Sequence, residues 1–361
     1  MKVLGIETSA DDTGVALIEA DGEFGADFRF TMLGNTVSSQ PIHAQYGGIY
    51  PAIAKREHAK NLPHLLDKVL GQHSGTTIDA IAVTVGPGLE PCLWTGITFA
   101  QELSKRWNVP VMPVNHMEGH ILISMIEIRS QSSGKLAKFE FPAIALLISG
   151  GHTELILMKD PPAGGRAYKY IGRTRDDAVG EAFDKVARLL DLPYPGGPQI
   201  SRLAEQARKT HEATPRGFRL PRPMIHENTY DFSFAGLKTA VQRHIEAHPL
   251  QSLDREKIAR EFEDAVTDVL IYKTLRAVEE FGVSTVVMGG GVSANKHIRE
   301  ELRSKLRAAS CELLVCPPEY STDNGLMIAL AGYFHAAKNE FTAPEHLVAK
   351  GDLAISSTMS V

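Results

Sequence analysis

Cysteine is scarce in this chain of 361 residues: Cys92, Cys311 and Cys316 are the full set, and no CxxC pair occurs. That excludes a disulfide framework and leaves each thiol the place of a small buried hydrophobe. Long apolar runs are absent too. No stretch approaches the roughly 20 residues a bilayer-spanning helix needs. The short apolar start, residues 3–6, is closed at once by Glu7, Asp11 and Asp12, so no signal-peptide core is expected and the protein is expected in the cytoplasm. Positive charge is not in excess: the formal net charge is −5, which argues against a protein that grips nucleic acid with its whole surface. Neither GxxxxGK[ST] nor GxGxxG occurs, so the phosphate-binding loops those patterns specify are excluded. What remains is a chain with 43% hydrophobic residues, enough for two domains of ordinary size with real cores.

Two stretches repeat one design. Residues 2–19 read KVLGIETSADDTGVALIE and residues 143–159 read AIALLISGGHTELILMK. Each is an apolar strand, a short turn of Gly, Ser, Thr or acidic residues, and a second apolar strand, the pattern of a β-hairpin. The echo predicts duplicated α/β halves facing each other across a cleft. Residues 129–138 (RSQSSGKLAK) are polar and read as the connection, which divides the chain into lobes 1–135 and 136–361. In the first lobe the pattern predicts a strand over 78–88, a helix over 92–107, a strand over 109–114 and a helix over 116–128. In the second it predicts helices over 177–191, 199–209 and 254–281, a strand over 285–291, a strand over 312–317 and a closing helix over 325–337. Segment 211–232 reads as a surface loop.

The sharpest local signal is the run Asn115-His116-Met117-Glu118-Gly119-His120. On a helix, positions i and i+4 share a face. His116 and His120 therefore read either as two imidazoles for one zinc or iron ion or as a solvent-facing pair. A third ligand must come from elsewhere, and Asp323, in the polar turn STDNG after a strand, is the best candidate. The run is not the HExxH zinc-protease motif: Glu118 is two residues on from His116, roughly 200° round a helix, and points away. Glycine turns form a second signal, at Ser149-Gly150-Gly151-His152-Thr153 and at Gly289-Gly290-Gly291 ahead of Asn295. Each reads as a structural turn or as a close backbone approach to a phosphate-bearing ligand. Asp177, Glu181 and Asp184 fall on one helical face, either solvated or turned to a hydroxyl or cation. Residues 201–225 hold six Arg/Lys, including Arg208, Arg216, Arg219 and Arg222, against Glu205 and Glu212. That local positive stretch reads equally as a solvated face or as a phosphate-contacting one.

Taken together these residues resemble the Kae/TsaD family of tRNA threonylcarbamoyl transferases, and its bacterial branch in particular. The matching motifs are GIETSADDTG at 5–14, GPGL at 86–89, NHMEGH at 115–120, SGGHTEL at 149–155 and DDAVGEAFDK at 176–185. YPGGP at 194–198, DFSFAGLKTAV at 231–241, GGGVSAN at 289–295 and STDN at 321–324 follow in order. The resemblance implies the duplicated actin-like ATPase fold (the ASKHA class, ribonuclease H-like), in agreement with the repeated hairpins. It implies transfer of threonylcarbamoyl from threonylcarbamoyl-AMP to N6 of the adenosine 3′-adjacent to the anticodon, in tRNAs reading codons that begin with A. It also implies one divalent ion, Fe2+ or Zn2+, on His116, His120 and Asp323. By the same resemblance Leu147, Ile148, Ser149, Gly150, Gly151, Asp184, Gly197 and Asn295 form the adenylate site. Asp11 and His152 become the catalytic polar groups near the reacting end. The implied partners are tRNA, a paralogous TsaB-like subunit and a TsaE-like small ATPase, with no membrane.

The sequence departs from the family pattern at Ala10 and Asp12, where TSADDT stands for TSCDET, and in EPCLWTG at 90–96. The lost cysteine removes no chemistry the reaction needs. The shorter Asp12 draws its carboxylate back by about one CH2 and receives no catalytic role. Two other functions fit parts of the pattern. A phosphoryl-transferring kinase or ATPase on the same fold shares the glycine turns but leaves a His-His-Asp set unexplained. A non-catalytic scaffold subunit would lack the metal residues that this chain keeps.

Overall fold

The computed structural model describes residues 1–71, 75–130, 133–159, 168–210, 219–247 and 255–355. The first sheet is built from β1 (Lys2–Glu7), β2 (Thr13–Asp21), β3 (Arg29–Ser38), β4 (Ala80–Gly86), β5 (Val111–Asn115), β6 (Ile126–Ser130) and β7 (Ser133–Leu136). Its spatial order is β5-β4-β1-β2-β3-β7-β6. The second is built from β8 (Ala143–Ile148), β9 (Thr153–Met158), β10 (Tyr168–Arg173), β11 (Thr285–Gly289) and β12 (Glu312–Leu314), in the order β10-β9-β8-β11-β12. In each sheet an antiparallel hairpin, β1–β2 or β8–β9, takes a third antiparallel strand on one side. On the other side two parallel strands follow. The second sheet therefore repeats the β5-β4-β1-β2-β3 part of the first, to which β7 and β6 are added, and the hairpin echo in the sequence marks that shared five-strand topology.

Strand alternation sorts the apolar side chains into three layers. Leu4, Ile6, Val15 and Leu17 face outward to α1 (Pro51–Gly71) and α2 (Glu90–Trp107). Ile144, Leu146 and Ile148 face α4 (Val179–Leu189), α5 (Gly196–Lys209), α6 (Ala235–Ala247), α7 (Arg255–Phe281) and α8 (Lys296–Ala308). The inward residues, among them Val3, Ala16, Ala82, Ala143, Ala145 and Leu147, enclose a middle layer of two helices, α3 (His116–Ser124) and α9 (Gly325–Ala337). All nine residues of α3 are buried, as are Gly325 to Ala336 of α9, the expectation for helices apolar on every side. Among the described residues no helix is long and apolar enough to cross a membrane.

The structure differs from the sequence reading at three elements. Helix α3 stops at Ser124, because Ile126 and Ile128 alternate as the edge strand β6 rather than continuing a helical stripe. The polar connection at 129–138 contributes β7, which pairs with both β3 and β6. Helix α9, read as closing the second half, packs on β1, β2 and β4 of the first sheet. That approach is backbone-tight: a Cβ on Gly5 would lie 2.2 Å from the Gly325 carbonyl oxygen and 2.5 Å from the Ala329 nitrogen. Gly5→Val should therefore cost about 3 kcal/mol of stability or more, read as a fall in the denaturation midpoint. Gly71→Ala, where a Cβ meets nothing within 4 Å, should change it by about 0.5 kcal/mol at most.

Candidate metal centre and adenylate cleft

Both middle-layer helices begin at the mouth between the sheets. Asn115 caps α3, accepting from the Met117 and Glu118 amides at 2.9 and 3.3 Å. Asn324 caps α9, accepting from the Met327 amide at 3.0 Å. The two caps bring His116 and His120 from one helix start against Asp323, the residue before the other cap. Nε2 of His116 and Nε2 of His120 lie 3.4 and 3.1 Å from the same oxygen, Asp323 Oδ1. The imidazole rings are 4.7 Å apart and nearly perpendicular, at 87°. One donor atom from each of the three side chains falls within 4.8 Å of the others.

Behind His116 stands Glu7, fully buried, with Oε2 3.0 Å from His116 Nδ1. Glu7 also accepts from Thr84 Oγ1 at 2.6 Å and from the Ser9 amide at 2.5 Å. This carboxylate fixes the ring so that Nε2 faces Asp323, the arrangement that orients a histidine for a metal. The Nδ1 of His120 is buried and has no hydrogen-bond partner among the described residues. Burial alone would lower the His116 pKa, but Asp323 and Glu7 push it up to about 9. Asp323 is held well below the usual carboxylate range: burial opposes this, and His116 and His120 prevail. Burial and Asp323 raise Asp11 to about 6 and Asp12 to about 7. The concentration of acids that holds a proton on His116 is a charge environment suited to a cation. Two imidazoles and a carboxylate are a donor set that zinc or ferrous iron takes. The residues fit a divalent ion.

Glu118 lies on the far side of α3, as the helix geometry requires. It accepts from Tyr168 Oη at 3.2 Å and lies 2.9 Å from His335 Nε2 of α9. It locks α3 to its neighbours and takes no part in the ligand set.

The centre opens on a cleft of about 1490 Å3. Asp11 and His152 line it, as do Ser149, Gly150 and Gly151 of the β8–β9 turn and Asp184, Gly197 and Asn295. Leu147 and Ile148 do not reach it: their side chains are fully buried on opposite faces of β8. The β8–β9 turn is closed by the Ser149 amide on the His152 carbonyl, 2.9 Å, and by the His152 amide on Ser149 Oγ, 3.1 Å. Burial, with His116 and His120 nearby, lowers His152 to about 4, so it is neutral at physiological pH. Asp184 accepts the Gly196 amide at 2.7 Å at the start of α5, and burial raises its pKa. Asn295 caps α8 through the Ile298 amide and donates to Ser201 Oγ at 2.8 Å and Glu263 Oε1 at 2.7 Å.

The glycines of the 289–291 turn divide in role. Gly290 has φ 90°, and a Cβ there would lie 2.5 Å from the Ile148 carbonyl oxygen, so it shapes the turn. Gly291 lines the cleft and has open space on its Cβ side. If, as the family resemblance implies, this cleft takes an adenylate, Gly291→Val should leave the thermal midpoint within a few degrees and weaken adenosine binding by roughly tenfold, about 1.4 kcal/mol. Isothermal titration of the folded variant is the measurement; unchanged affinity would remove this turn from the ligand site.

A family model for TsaD, tRNA N6-adenosine threonylcarbamoyltransferase, matches residues 31–330. The chain belongs to the TsaD family. It is 45% identical to the tRNA N6-adenosine threonylcarbamoyltransferase of Persephonella marina over 92% of this chain and 90% of that protein. It is 43% identical to the protein of the same name from Aromatoleum aromaticum, over 94% and 93%. The chain is accordingly an acyltransferase enzyme of that class. Among solved structures, full-length HypF in its phosphate- and nucleotide-bound form superposes with a TM-score of 0.54 at 13% identity. It covers 94% of this chain and 46% of that one. HypF from T. kodakarensis gives 0.53 at 16%, covering 95% and 50%. The chain spans about half of each HypF chain, and the likeness is one of fold: the duplicated actin-like architecture.

Sequence reasoning missed Glu7 and Ser9 as partners of His116, whose Nδ1 lies 3.2 Å from Ser9 Oγ. The signal was present in GIETSADDT, where an acid sits on an otherwise apolar strand. The basic stretch is mixed: Arg202, Lys209 and Arg219 are exposed, while Arg208 and Arg222 are partly buried. Arg208 pairs with Glu263 and Asp264, Arg222 pairs with Glu261 and Asp268, and Lys209 pairs with Glu205. Arg216 lies outside the described residues. Of the acids read on one face, Asp177 and Glu181 both pair with Lys185, at 2.6 and 2.8 Å, and Asp184 turns to the cleft.

Proposed function

We propose that this protein transfers the threonylcarbamoyl group of threonylcarbamoyl-AMP to N6 of the adenosine 3′-adjacent to the anticodon in tRNAs that read codons beginning with A. The observation that carries the reading is the convergence of both histidine Nε2 atoms on one oxygen of Asp323, at the floor of a cleft walled by glycine turns. His116, His120 and Asp323 would hold one Fe2+ or Zn2+ ion. Such an ion, when bound, supplies Lewis-acid stabilisation of charge on an acyl oxygen.

The chain's own residues do the remainder. The open turns at Gly150, Gly151 and Gly291 let the adenylate lie against backbone, where amide groups favour a phosphate. Ser149, Asp184, Gly197 and Asn295 line the same space and orient the nucleotide. The adenine amine is a poor nucleophile, so orientation and proton removal matter most. As the N6–carbonyl bond forms and the bond from the carbonyl carbon to the phosphate oxygen breaks, AMP leaves and N6 loses one proton. Asp11, raised to about 6 and ionised at neutral pH, would accept it. His152, neutral, is available as a hydrogen-bond partner to the acyl group. No covalent enzyme intermediate is needed, since the substrate already carries a good leaving group. We further propose that the protein acts in the cytoplasm with a TsaB-like paralogue and a TsaE-like ATPase as helpers.

The test is nucleoside analysis of tRNA incubated with the protein, its helpers and threonylcarbamoyl-AMP. The expected product is threonylcarbamoyladenosine at that one position. Consumption of the adenylate with no modified nucleoside would overturn the assignment.

A further inference from the structure

Arg299, in the first turn of α8, makes no ion pair among the described residues, yet three of its nitrogens are engaged. Nε and Nη2 both donate to the Ser293 carbonyl, at 3.0 and 2.7 Å. Nη1 donates to the Cys316 carbonyl at 2.8 Å, and Nη2 also reaches Ser321 Oγ at 3.3 Å. Ser293 belongs to the turn Gly291–Ala294 in the cleft wall. Cys316 and Ser321 bracket the entry to the loop that carries Asp323. Ser321 is fully buried, and its Oγ lies 3.6 Å from Cys316 Sγ. Cys316 Sγ in turn lies 3.9 Å from Ser124 Oγ, which donates to the His120 carbonyl at 2.8 Å. One guanidinium thus joins the ligand-facing turn to the loop of the metal carboxylate, and that loop is joined to the metal helix.

Arg299 is half-buried, and its hydrogen bonds go to two backbone carbonyls and a hydroxyl rather than to a carboxylate, so what matters at this position is what its shape provides. The guanidinium is a rigid planar fork that can hold two chain segments in one register, which an ammonium cannot. We infer that Arg299 is a positioning residue that couples adenosine binding at the Gly291–Ala294 turn to cation binding at His116, His120 and Asp323. The inference rests on the metal and adenylate sites proposed above. Ordering the turn fixes Arg299, Arg299 fixes the 316–321 segment, and that segment sets the Asp323 carboxylate against the two imidazoles. Such coupling is reciprocal: each ligand tightens the other by the same factor.

The experiment measures Zn2+ affinity by chelator competition with and without adenosine, and adenosine affinity with and without Zn2+. Adenosine carries no phosphate that could reach the ion directly. In the wild-type protein each ligand should tighten the other by roughly fivefold or more. In Arg299→Lys and in Ser321→Ala that factor should fall toward one, and zinc affinity without adenosine should drop by roughly tenfold. Thermal melting establishes that each variant is folded; a merely structural role would lower the midpoint and leave the coupling factor unchanged. If Arg299→Lys does not fold, Ser321→Ala, which removes a single hydroxyl, decides. A folded variant with wild-type zinc affinity and wild-type coupling overturns the inference, as does a wild-type protein that binds both ligands independently. Failure of the wild type to bind zinc or adenosine at all overturns the reading beneath it as well.

Discussion

Replacing His116 by alanine should remove stoichiometric metal from the purified protein and lower tRNA modification by roughly a hundredfold or more. The proposed ligand set is two imidazoles and one carboxylate, so losing either partner of the close Nε2–Oδ1 contacts would leave an incomplete site. Asp323→Ala should behave alike. The two variants differ in what they leave behind. Without His116, the fully buried Glu7 loses its imidazole partner and keeps only Thr84 and the Ser9 amide. That uncompensated charge should lower the melting temperature of His116→Ala more than that of Asp323→Ala. Glu7→Gln keeps every ligand and should weaken metal affinity by roughly ten- to a hundredfold. Elemental analysis of the three variants, with melting curves, is the measurement. Unchanged metal content in both His116→Ala and Asp323→Ala would remove the triad from the account.

Asp11→Asn should slow transfer by roughly a hundredfold or more while metal content and adenosine affinity stay near wild type. The amide is close to isosteric with the carboxylate, so the cleft is preserved and only proton acceptance is lost. Burial and Asp323 raise the Asp11 pKa to about 6. The active form is the ionised one. A bound ion would offset the Asp323 charge and draw that value down, so the wild-type rate should hold at neutral pH and fall as pH drops to about 6 or below. Asparagine does not titrate there, so the acid limb should vanish in the variant. Asp12, raised to about 7 in the same turn, has no catalytic role in this account, and Asp12→Asn should keep the limb. An Asp11→Asn enzyme with a wild-type rate and an unchanged acid limb would show that another group takes the proton.

The duplication was legible because it is local. Each hairpin announces itself by two apolar strands and a polar turn, and the strands that follow add in the same order to both sheets. The histidine pair was legible from helical spacing alone. Asp323, more than 200 residues on, was singled out only by its polar turn after a strand and by the family resemblance, because helical spacing does not reach the loop before α9. Nor did the sequence show that α9 crosses to the first sheet. Its apolar surface runs round the whole helix, and such a pattern gives no direction; the glycines at 5 and 325 that permit the contact are silent until paired in space. The basic stretch stayed open between a solvated and a phosphate-contacting face for a related reason. Local charge counts Arg208 and Arg222 as surface cations, but their partners, Glu261, Glu263, Asp264 and Asp268, lie on α7 some 40 to 60 residues later. Glu7 was overlooked because a single acid ending an apolar strand reads as the edge of a hairpin turn. Its role appears only when His116 is placed beside it.

In the proposed enzyme, histidines from the first half of the chain and an aspartate from its far end would hold one ion at the floor of the adenylate cleft. Anomalous X-ray scattering from crystals of the iron- or zinc-loaded protein, recorded at the metal edge, tests it most directly. One strong peak per chain is expected, bounded by the imidazoles of His116 and His120 and the carboxylate of Asp323. A stoichiometric peak elsewhere in the molecule, with these three side chains bonded only to one another, would contradict it.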